Sequence, residues 1–528
     1  METPVEPVAS VWGQQELVGA RPRTGPLDAR LAARLLSLAL AVGFVGQLLF
    51  YGQLLGINVV LASAAVLAAV AAVRPATVRM DRLDLWLPPT ALLFAAFLAL
   101  RSDPSLVGFD LLAALALLGA SVAALAGMAV TRRTAAGIVL LGVSTLGAAL
   151  VGASRLAPGV SALAMAPRRL RGSAVRPLVQ GGLIALPFLI VFTILFASAD
   201  PVFGQMLDLG IRWPADLGDL PVRLVIGGLM AWLAGGLLVM AGGRPASADA
   251  EVAGVAAADS STPEATRRRP LDPTVAGIAL SAIDLLFALF VALQAAYLFG
   301  GRDTLEAVGM TYSQYARRGF FELLAVAFVA GGLVLVLEGI VARRSRPYTA
   351  AAVALCLLTG IVLLSAAVRL GLYQQAYGWT ELRFYVLAAI VWLAIGVVAA
   401  VVAVLTDRTR WLLHAVGIAA LVVAVGVNLI GPQSFVAAAN IDRVRRPELV
   451  PPDGEAALDA DYLGVLGDDA VPYLVEALPS LPEAERRQLR AALLDRRGEL
   501  ARSARPGWPS FNIGRERARQ ALATITTD

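Results

Sequence analysis

The sequence predicts an all-α fold: a polytopic transmembrane helical bundle of about 11–12 spans, followed by a small, mostly helical C-terminal tail. The chain is 58% hydrophobic and only 16% charged, whereas soluble domains carry about 25% charged residues. Apolar runs of about 18 or more residues also recur through the first four-fifths of the chain. A segment inside hydrocarbon must satisfy its own backbone polar groups, so we expect each run to be a helix.

Twelve apolar runs are candidate spans. They cover residues 32–51, 57–73, 85–100, 107–130, 136–153, 178–197, 221–241, 275–298, 321–341, 349–368, 383–404 and 411–430. Pro88, Pro89 and Pro187 are expected to kink or start their helices, because proline lacks the N–H that a helix interior requires. Paired glycines, such as Gly331 and Gly332, are expected to let neighbouring helices approach closely.

The positions of the spans divide the chain into five predicted regions. These are a polar, disordered N-terminal lead (1–30), a first membrane half (31–241), a flexible Arg-containing linker (242–273), a second membrane half (274–430) and a polar, mostly helical C-terminal region (431–528). The lead lacks the basic and apolar segments of a signal peptide. The C-terminal region is of a size that could fold alone, or it could dock on the membrane portion.

The composition excludes several functional classes. Every basic residue is Arg, and the net charge of +5 lies mainly in short loops, which orients a protein in the bilayer and does not indicate nucleic-acid binding. With Cys356 as the single cysteine and His414 as the single histidine, no disulfide framework and no Cys- or His-based metal site is expected. No phosphate-binding loop or zinc-protease motif occurs. We therefore predict no catalytic residue, metal ion or cofactor, although a membrane-embedded enzyme stays open.

The distribution of Arg predicts the orientation of the chain. In the second half, alternate linkers are rich in Arg, which places them in the cytoplasm by the positive-inside rule. Arg21, Arg23, Arg30 and Arg34 place the N-terminus there too, and the tail then lies outside. Both statements hold only for an odd number of spans, so we expect one weak segment, such as 136–153, not to cross. The Ala/Arg/Gly-rich composition is typical of a bacterial plasma-membrane protein, whose partner is the lipid bilayer.

The remaining linkers carry polar and aromatic residues that the alternation of spans places on one face. This candidate polar patch comprises Asp200, Arg302, Asp303, Tyr312, Tyr315, Arg317, Tyr377, Trp379, Glu381, Arg383, Asn440 and Asp442. One interpretation is a shared outward-facing site or ion-pair network, since charges at helix ends usually pair. The alternative is an interfacial belt, in which Tyr, Trp and Arg anchor the helix ends.

Three polar residues lie within predicted spans: Asp284, Gln294 and Glu338. Asp284 is about ten residues into its span, roughly 15 Å deep at a helical rise of 1.5 Å per residue. An intramembrane carboxylate is costly and indicates a proton or cation relay. The alternative is a protonated or hydrogen-bonded packing residue, and Glu338 can extend toward the interface from its helix end.

Several stretches resemble a known family. They are Leu195–Phe203 (LFASADPVF), Gln294–Gly301 (QAAYLFGG), Tyr312–Leu323 (YSQYARRGFFEL), Leu370–Arg383 (LGLYQQAYGWTELR), Asn440–Arg443 (NIDR), Leu458–Leu474 (LDADYLGVLGDDAVPYL) and Gly507–Ala518 (GWPSFNIGRERA). Together they are similar to the bacterial integral-membrane family called domain of unknown function 4173, with its relative 4153. The resemblance covers about residues 180–528. It implies a multi-span membrane protein and carries no established activity.

Three functional hypotheses follow. The first is a transporter-like protein for a small solute, ion or lipid, in which Asp284 is the working residue. The second is a sensor or assembly component of the cell envelope, which binds another membrane protein through the polar patch and the tail. The third is a membrane-embedded enzyme that acts on a lipid-linked substrate through Asp200, Arg302, Asp303 and Glu381. The oligomeric state is not readable from the sequence.

Overall fold

A computed structural model describes residues 27–159, 219–242, 272–299, 320–341, 345–450, 458–502 and 507–525. These residues form helices joined by turns, with no extended strand among them. Nine helices in the described part are long and apolar enough to cross a membrane, and Ile57–Val73 is apolar but shorter. The predicted all-α polytopic bundle is therefore confirmed. The predicted span at 178–197 lies outside the described residues.

The helices up to residue 242 pack against one another and are called the first group. They are α1 (Ala29–Phe50), α2 (Ile57–Val73), α3 (Leu87–Leu100), α4 (Pro104–Leu125), α5 (Ala135–Val151) and α6 (Leu220–Gly242). Helix α1 runs antiparallel to α6, since Leu35 lies beside Gly242 and Gly43 lies beside Gly227. A Cβ added to Gly43 would lie 2.3 Å from the carbonyl oxygen of Gly227. Small residues thus set the separation of these two helices, as they do in other membrane bundles.

The helices from residue 273 to residue 430 form the second group. They are α7 (Pro273–Phe299), α8 (Phe320–Ile340), α9 (Arg346–Tyr377), α10 (Glu381–Leu405) and α11 (Leu412–Ile430). Their cores include Leu280, Leu355 and Leu370, all with fully buried side chains. The boundary predicted between the two halves falls on residues 243–271, outside the described part, and stays a prediction.

The C-terminal region is mostly helical and docks on the membrane helices. Its helices are α12 (Pro432–Arg445), α13 (Ala460–Val465), α14 (Val471–Ala477), α15 (Glu483–Arg502) and α16 (Ile513–Ala523). Leu463, Leu474 and Leu522 form its core, which continues into Phe384 of α10 and Val427 of α11. Because one apolar cluster joins the tail to the helix ends, docking buries surface that a separate domain would expose to water.

In the described residues, the hydrogen bonds between the tail and the membrane helices lie at one end of the bundle, here called the tail face. The turn after α1 is hydrogen-bonded to the tail at this face, since Leu54 N–H donates to Ser510 Oγ at 2.7 Å. The turn between α9 and α10 is bonded there too, since Trp379 N–H donates to Asn440 Oδ1 at 2.8 Å. Helix α1 begins at the opposite face, so the start of α1 and the tail lie at opposite ends of the bundle.

The segment that includes α5 takes a path that its hydropathy alone does not predict. It follows the turn at Thr131, which Asp84 holds at the opposite face by three hydrogen bonds. Its end, Gly159, lies against the backbone of Ala32 near the start of α1. The segment therefore returns to the face at which it began, although Ala136–Gly159 is long and apolar enough to cross.

Three boundaries differ from the predicted spans for local reasons. Helix α4 begins at Pro104, because the side chain of Asp103 accepts the first free N–H groups of the helix. It ends before Gly127, whose φ of +88° turns the chain. Helix α9 continues past the predicted end at 368 to Tyr377 and stops at Gly378, which has a φ of +75°.

The predicted role of paired glycines holds at some positions only. A Cβ on Gly236 would lie 2.2 Å from the carbonyl oxygen of Ala148, so α5 and α6 meet there at backbone distance. Gly228, Gly331 and Gly332 have no neighbour within 4 Å of an added Cβ among the described residues. These three glycines therefore do not mark close helix crossings in that part of the chain.

Candidate functional site

Polar side chains from the two groups meet at the tail face, where α3 and α4 lie beside α10 and α11. We call this set the seam: Arg101, Asp103 and Asp110 from the first group, and Tyr385 and Asn428 from the second. Asp103 and Asp110 are fully buried, and Asn428 is 1% exposed. Polar groups this deeply buried are costly unless they are bonded, so their partners decide what the seam does.

Arg101 stands at the end of α3 and caps the end of α11. Its Nε donates to the carbonyl oxygen of Asn428 at 2.7 Å, and its Nη2 donates to that of Leu429 at 2.9 Å. The last carbonyls of a helix lack intrahelical partners and carry the negative end of its dipole. The cation of one group therefore stabilises a helix end of the other.

Asp103 joins the start of α4 to α10. One carboxylate oxygen accepts from the N–H groups of Ser105 and Leu106, which caps the helix. The other accepts from the hydroxyl of Tyr385 at 3.0 Å. Both oxygens are used, so Asp103 is a satisfied acceptor.

Asp110 and Asn428 form the deepest contact of the seam. Asn428 Nδ2 donates to Asp110 Oδ1 at 2.9 Å and to the carbonyl oxygen of Ala424 at 3.1 Å. Asp110 Oδ2 and Asn428 Oδ1 are buried and have no hydrogen-bond partner. Asp110 lies about 9 Å along α4 from Pro104, at a rise of 1.5 Å per residue. Asp110 therefore lies inside the span, away from the end of α4 at the tail face, and one of its carboxyl oxygens has no hydrogen-bond partner.

The tail covers the seam from outside. Asp469 accepts from Ser102 through both the backbone N–H, at 3.1 Å, and the hydroxyl, at 3.0 Å. Asn512 Nδ2 donates to the carbonyl oxygens of Leu98 and Arg101, which completes the end of α3. Burial raises the pKa of Asp469, and the two bonds from Ser102 act against that shift.

Part of the predicted polar patch forms the contact between the tail and the α9–α10 turn. Asn440 pairs reciprocally with the backbone of Trp379, since each donates to the other at 2.8 Å. A Cβ on Gly378 would lie 2.4 Å from Asn440 Oδ1, and its φ of +75° also favours glycine. Trp379 in turn packs edge-on against Phe435 of α12.

Glu381 lies next to this contact and is also committed to the tail. Its Oε1 accepts from Gln433 Nε2 at 2.9 Å, and its backbone N–H donates to the hydroxyl of Tyr462 at 2.8 Å. Burial raises the pKa of Tyr462. The open oxygen of Gln433 is buried without a partner.

Arg383 and Tyr377 lie together at the end of α9. Arg383 donates to the carbonyl oxygens of Tyr377 and Gly378, and its guanidinium lies 4.0 Å from the ring centre of Tyr373. Arg443 of α12 caps the same helix end through the carbonyl of Ala376 at 2.5 Å. These cations stabilise the terminus of α9.

The structure therefore brings together Tyr377, Trp379, Glu381, Arg383 and Asn440, in contacts that hold the tail and the α9–α10 turn. Asp442 lies apart from them and pairs at the surface with Arg446 at 2.7 Å. The other predicted patch residues, Asp200, Arg302, Asp303, Tyr312, Tyr315 and Arg317, lie outside the described residues.

The three predicted intramembrane residues do not meet at one site. Asp284 is half-buried on α7, and its Oδ1 is buried without a hydrogen-bond partner. Gln294 Oε1 accepts from the hydroxyl of Ser365. Glu338 accepts from the hydroxyl of Tyr348 at 3.0 Å, at the opposite face. No group of three or more His, Cys, Asp or Glu side chains in the described ranges is placed to hold a metal ion.

The profile of a family whose domain is of unknown function, DUF4153, matches residues 89–477, well over half of the chain. The chain belongs to the DUF4153 family. The match begins within α3 and so includes α4 and the whole seam, of which the resemblance from about residue 180 covered only Tyr385 and Asn428. This match shows membership of the DUF4153 family and does not show the predicted relationship to the 4173 family. Comparison with curated proteins and with solved structures found no match.

Sequence reasoning on this DUF4153 protein missed Arg101, Asp103, Asp110, Tyr385 and Asn428. The signal for Asp110 was the same as for Asp284, a carboxylate inside an apolar run. With the span predicted from residue 107, however, Asp110 fell at the membrane edge, where a charge needs no explanation. Its partner lies 318 positions further along the chain, and no local pattern connects them.

Proposed function

We propose that this chain is a transporter-like membrane protein for a small solute or ion. Asp110 is its working residue, that is, the side chain that binds or relays the transported species. The supporting observation is the buried contact between Asp110 and Asn428, which joins one helical group to the other. An ionisable side chain inside a span is costly and belongs by default to a binding or relay site. Asp284 lacks a contact of this kind between the two groups, because it lies half-buried on a helix of one group.

The arrangement of the two groups supports the same proposal. Transporters bind their substrates between helical bodies whose relative movement exposes the site to each side in turn. In the described residues, α3 and α4 meet α10 and α11 at the tail face through the hydrogen bonds of the seam, and apolar side chains of α11, such as Leu421 and Val425, pack against the first group. Hydrogen bonds of this kind can break and reform during such a movement at modest cost, because each contributes only about 0.5–1.5 kcal/mol net.

Charge displacement by the purified protein tests this proposal. Proteoliposomes adsorbed on a solid-supported membrane are mixed rapidly with amino acids, sugars, organic acids and monovalent cations. We expect at least one of these to produce a transient current that Asp110→Asn abolishes and Asp284→Asn retains. Loss of the current in Asp284→Asn alone would return the working role to Asp284. The absence of any current would remove the proposal.

A bacterial plasma membrane, with the tail outside and the start of α1 in the cytoplasm, is part of the proposal. The turns at the face opposite the tail carry Arg74, Arg79, Arg132, Arg133 and Arg408, which is the pattern of cytoplasmic loops. Single cysteines at Arg133 and Gln488, in a Cys356→Ala background, test the orientation in intact cells. A membrane-impermeant maleimide should label position 488 only; labelling of 133 alone would reverse the orientation.

A sensor or assembly role in the envelope is the second candidate. Large apolar side chains that are exposed in the described part of the tail include Val465, Tyr473, Trp508 and Phe511, with exposed fractions of 45–78%. Exposed apolar side chains of this kind are often found at partner-binding surfaces. A photo-crosslinking residue at Trp508 should then capture one defined membrane protein, and crosslinks to lipid only would argue against this role. The enzyme hypothesis and the 4173 relationship stay predictions.

A further inference from the structure

We propose that Asp110 carries a proton and donates it to Asn428 Oδ1, so that the two side chains form a closed acid–amide pair. This inference deepens the proposed function, on which it rests, because it names the proton as the ion bound at the working residue. It makes the seam a site that loses and regains a proton as the two helical groups separate and rejoin.

The orientation of the Asn428 amide is fixed by its two bonds. One hydrogen of Nδ2 goes to Asp110 Oδ1 at 2.9 Å, and the other goes to the carbonyl oxygen of Ala424 at 3.1 Å. A flipped amide would point its oxygen at the Ala424 carbonyl, which is also an acceptor. The amide nitrogen of Asn428 is therefore the atom bonded to these two oxygens, and Asn428 Oδ1 is its open acceptor.

The two open atoms require a donor. An ionised carboxylate can only accept hydrogen bonds, and so can an amide oxygen. Asp110 Oδ2 and Asn428 Oδ1 are both buried without a partner, and each such unsatisfied group is destabilising. Carboxyl and primary amide groups are planar, with two polar atoms side by side, so one bond along their shared edge aligns the other. A proton on Oδ2 supplies the missing donor and satisfies both oxygens.

The charged neighbours favour the protonated form. Arg101, the nearest cation on α3, gives its Nε and Nη2 to the carbonyls of residues 428 and 429 rather than to Asp110. Asp103 on α4 and Glu381 on α10 are acidic, and Tyr385 lies within electrostatic reach of both and of Asp110. On the tail, Asp469 is also acidic and is bonded to Ser102. A buried negative charge on Asp110 would thus lie among other acids without a bonded cation.

A metal cation does not fit the same space. Hard cations take about six or more oxygen ligands, whereas the Asp110–Asn428 contact offers two open oxygens. A proton needs one donor position and one acceptor, which is what these two atoms supply.

Infrared difference spectroscopy tests the proton directly. The purified, full-length protein is measured at neutral pH in the wild-type, Asp110→Asn and Asp284→Asn forms. We expect the wild type and Asp284→Asn to show the carbonyl stretch of a buried protonated carboxyl group, and Asp110→Asn to lack it. The amide introduced by Asp110→Asn can still donate to Asn428 Oδ1, so the melting temperature of this variant should stay near that of the wild type.

Two results would overturn the inference. One is a spectrum without any band that depends on Asp110 at neutral pH. The other is a band that disappears when sodium or potassium is added, since a metal cation would then be the occupant. A band without any transport current leaves the protonated pair in place and removes the proposed function. A transport current that requires Asp110, measured together with a spectrum that lacks this band, retains the proposed function and removes the protonated pair.

Discussion

Asp110 and Asp284 are both single carboxylates inside apolar runs, yet the structure places them differently. Asp110 is fully buried between two helical groups and is bonded to Asn428 at 2.9 Å. Asp284 is half-buried on α7, within one group, and its Oδ1 has no hydrogen-bond partner. The comparison teaches that the depth of a carboxylate in a span does not identify a site; the partner that the fold places opposite it does.

Replacing each carboxylate with leucine should separate the two positions most strongly. Asp110→Leu removes the partner of the buried Asn428 amide and should lower the free energy of unfolding by about 1–3 kcal/mol. Asp284→Leu removes an unpaired polar group and should leave stability unchanged or raise it. Thermal unfolding in detergent measures both. Equal losses at the two positions would show that the buried contact contributes nothing of its own.

The second largest loss of stability is expected at the contact between Asn440 and Trp379, which holds the tail over the seam. Asn440→Ala removes both hydrogen bonds with the backbone of Trp379, and we expect a loss of about 1–2 kcal/mol from two net contributions. Hydrogen exchange should then speed up in α12 and α14 while α7 keeps its protection. Gln520→Ala, at an exposed position on α16, is the control. Unchanged exchange in α12 would show that this pair does not hold the tail.

Acidic pH should sharpen the comparison between the two regions, because Asp469 lies at the seam, where it is bonded to Ser102. Burial raises its pKa above the ordinary value of 3.8, so the docked tail binds the proton more tightly than the released tail. Docking is therefore strongest below the ordinary pKa and weakens as pH rises through the raised pKa. The difference in melting temperature between the wild type and Asp469→Asn should change across that range and stay constant above it. A difference that is constant throughout would contradict the assignment.

The smallest effect is expected at Asp442, the predicted patch residue that lies apart from the contacts between the tail and the α9–α10 turn. Asp442 forms an i,i+4 pair with Arg446, and both side chains are about half exposed. Such pairs contribute about 0.3–0.5 kcal/mol, so Asp442→Ala should change the melting temperature little and leave tail exchange unaltered. A loss as large as that of Asn440→Ala would place Asp442 in the docking contact after all.

The predicted patch shows how far local sequence reaches. Alternation of spans placed Trp379, Glu381 and Asn440 at the same end of the bundle, and the structure has them there in direct contact through the tail. Their partners were not predictable, because the reciprocal pair of Asn440 and Trp379 joins residues 61 positions apart. These described residues form intramolecular bonds, and an outward-facing site at the whole patch stays a prediction.

The sequence by itself determined that this chain is an all-α, multi-pass membrane protein, because long apolar runs are stable only as helices in lipid. It also indicated a helix start or kink at Pro88 and Pro89, the helical character of the tail and, through the parity of the spans, one segment such as 136–153 that does not cross. The tertiary structure alone decided that α3 begins at these prolines, that the tail covers one end of the bundle, by which contacts the α5 segment returns to its own face, and that Asp110 meets Asn428. Those outcomes depend on which helices pack together, and hydropathy is the same for every apolar neighbour a helix could have.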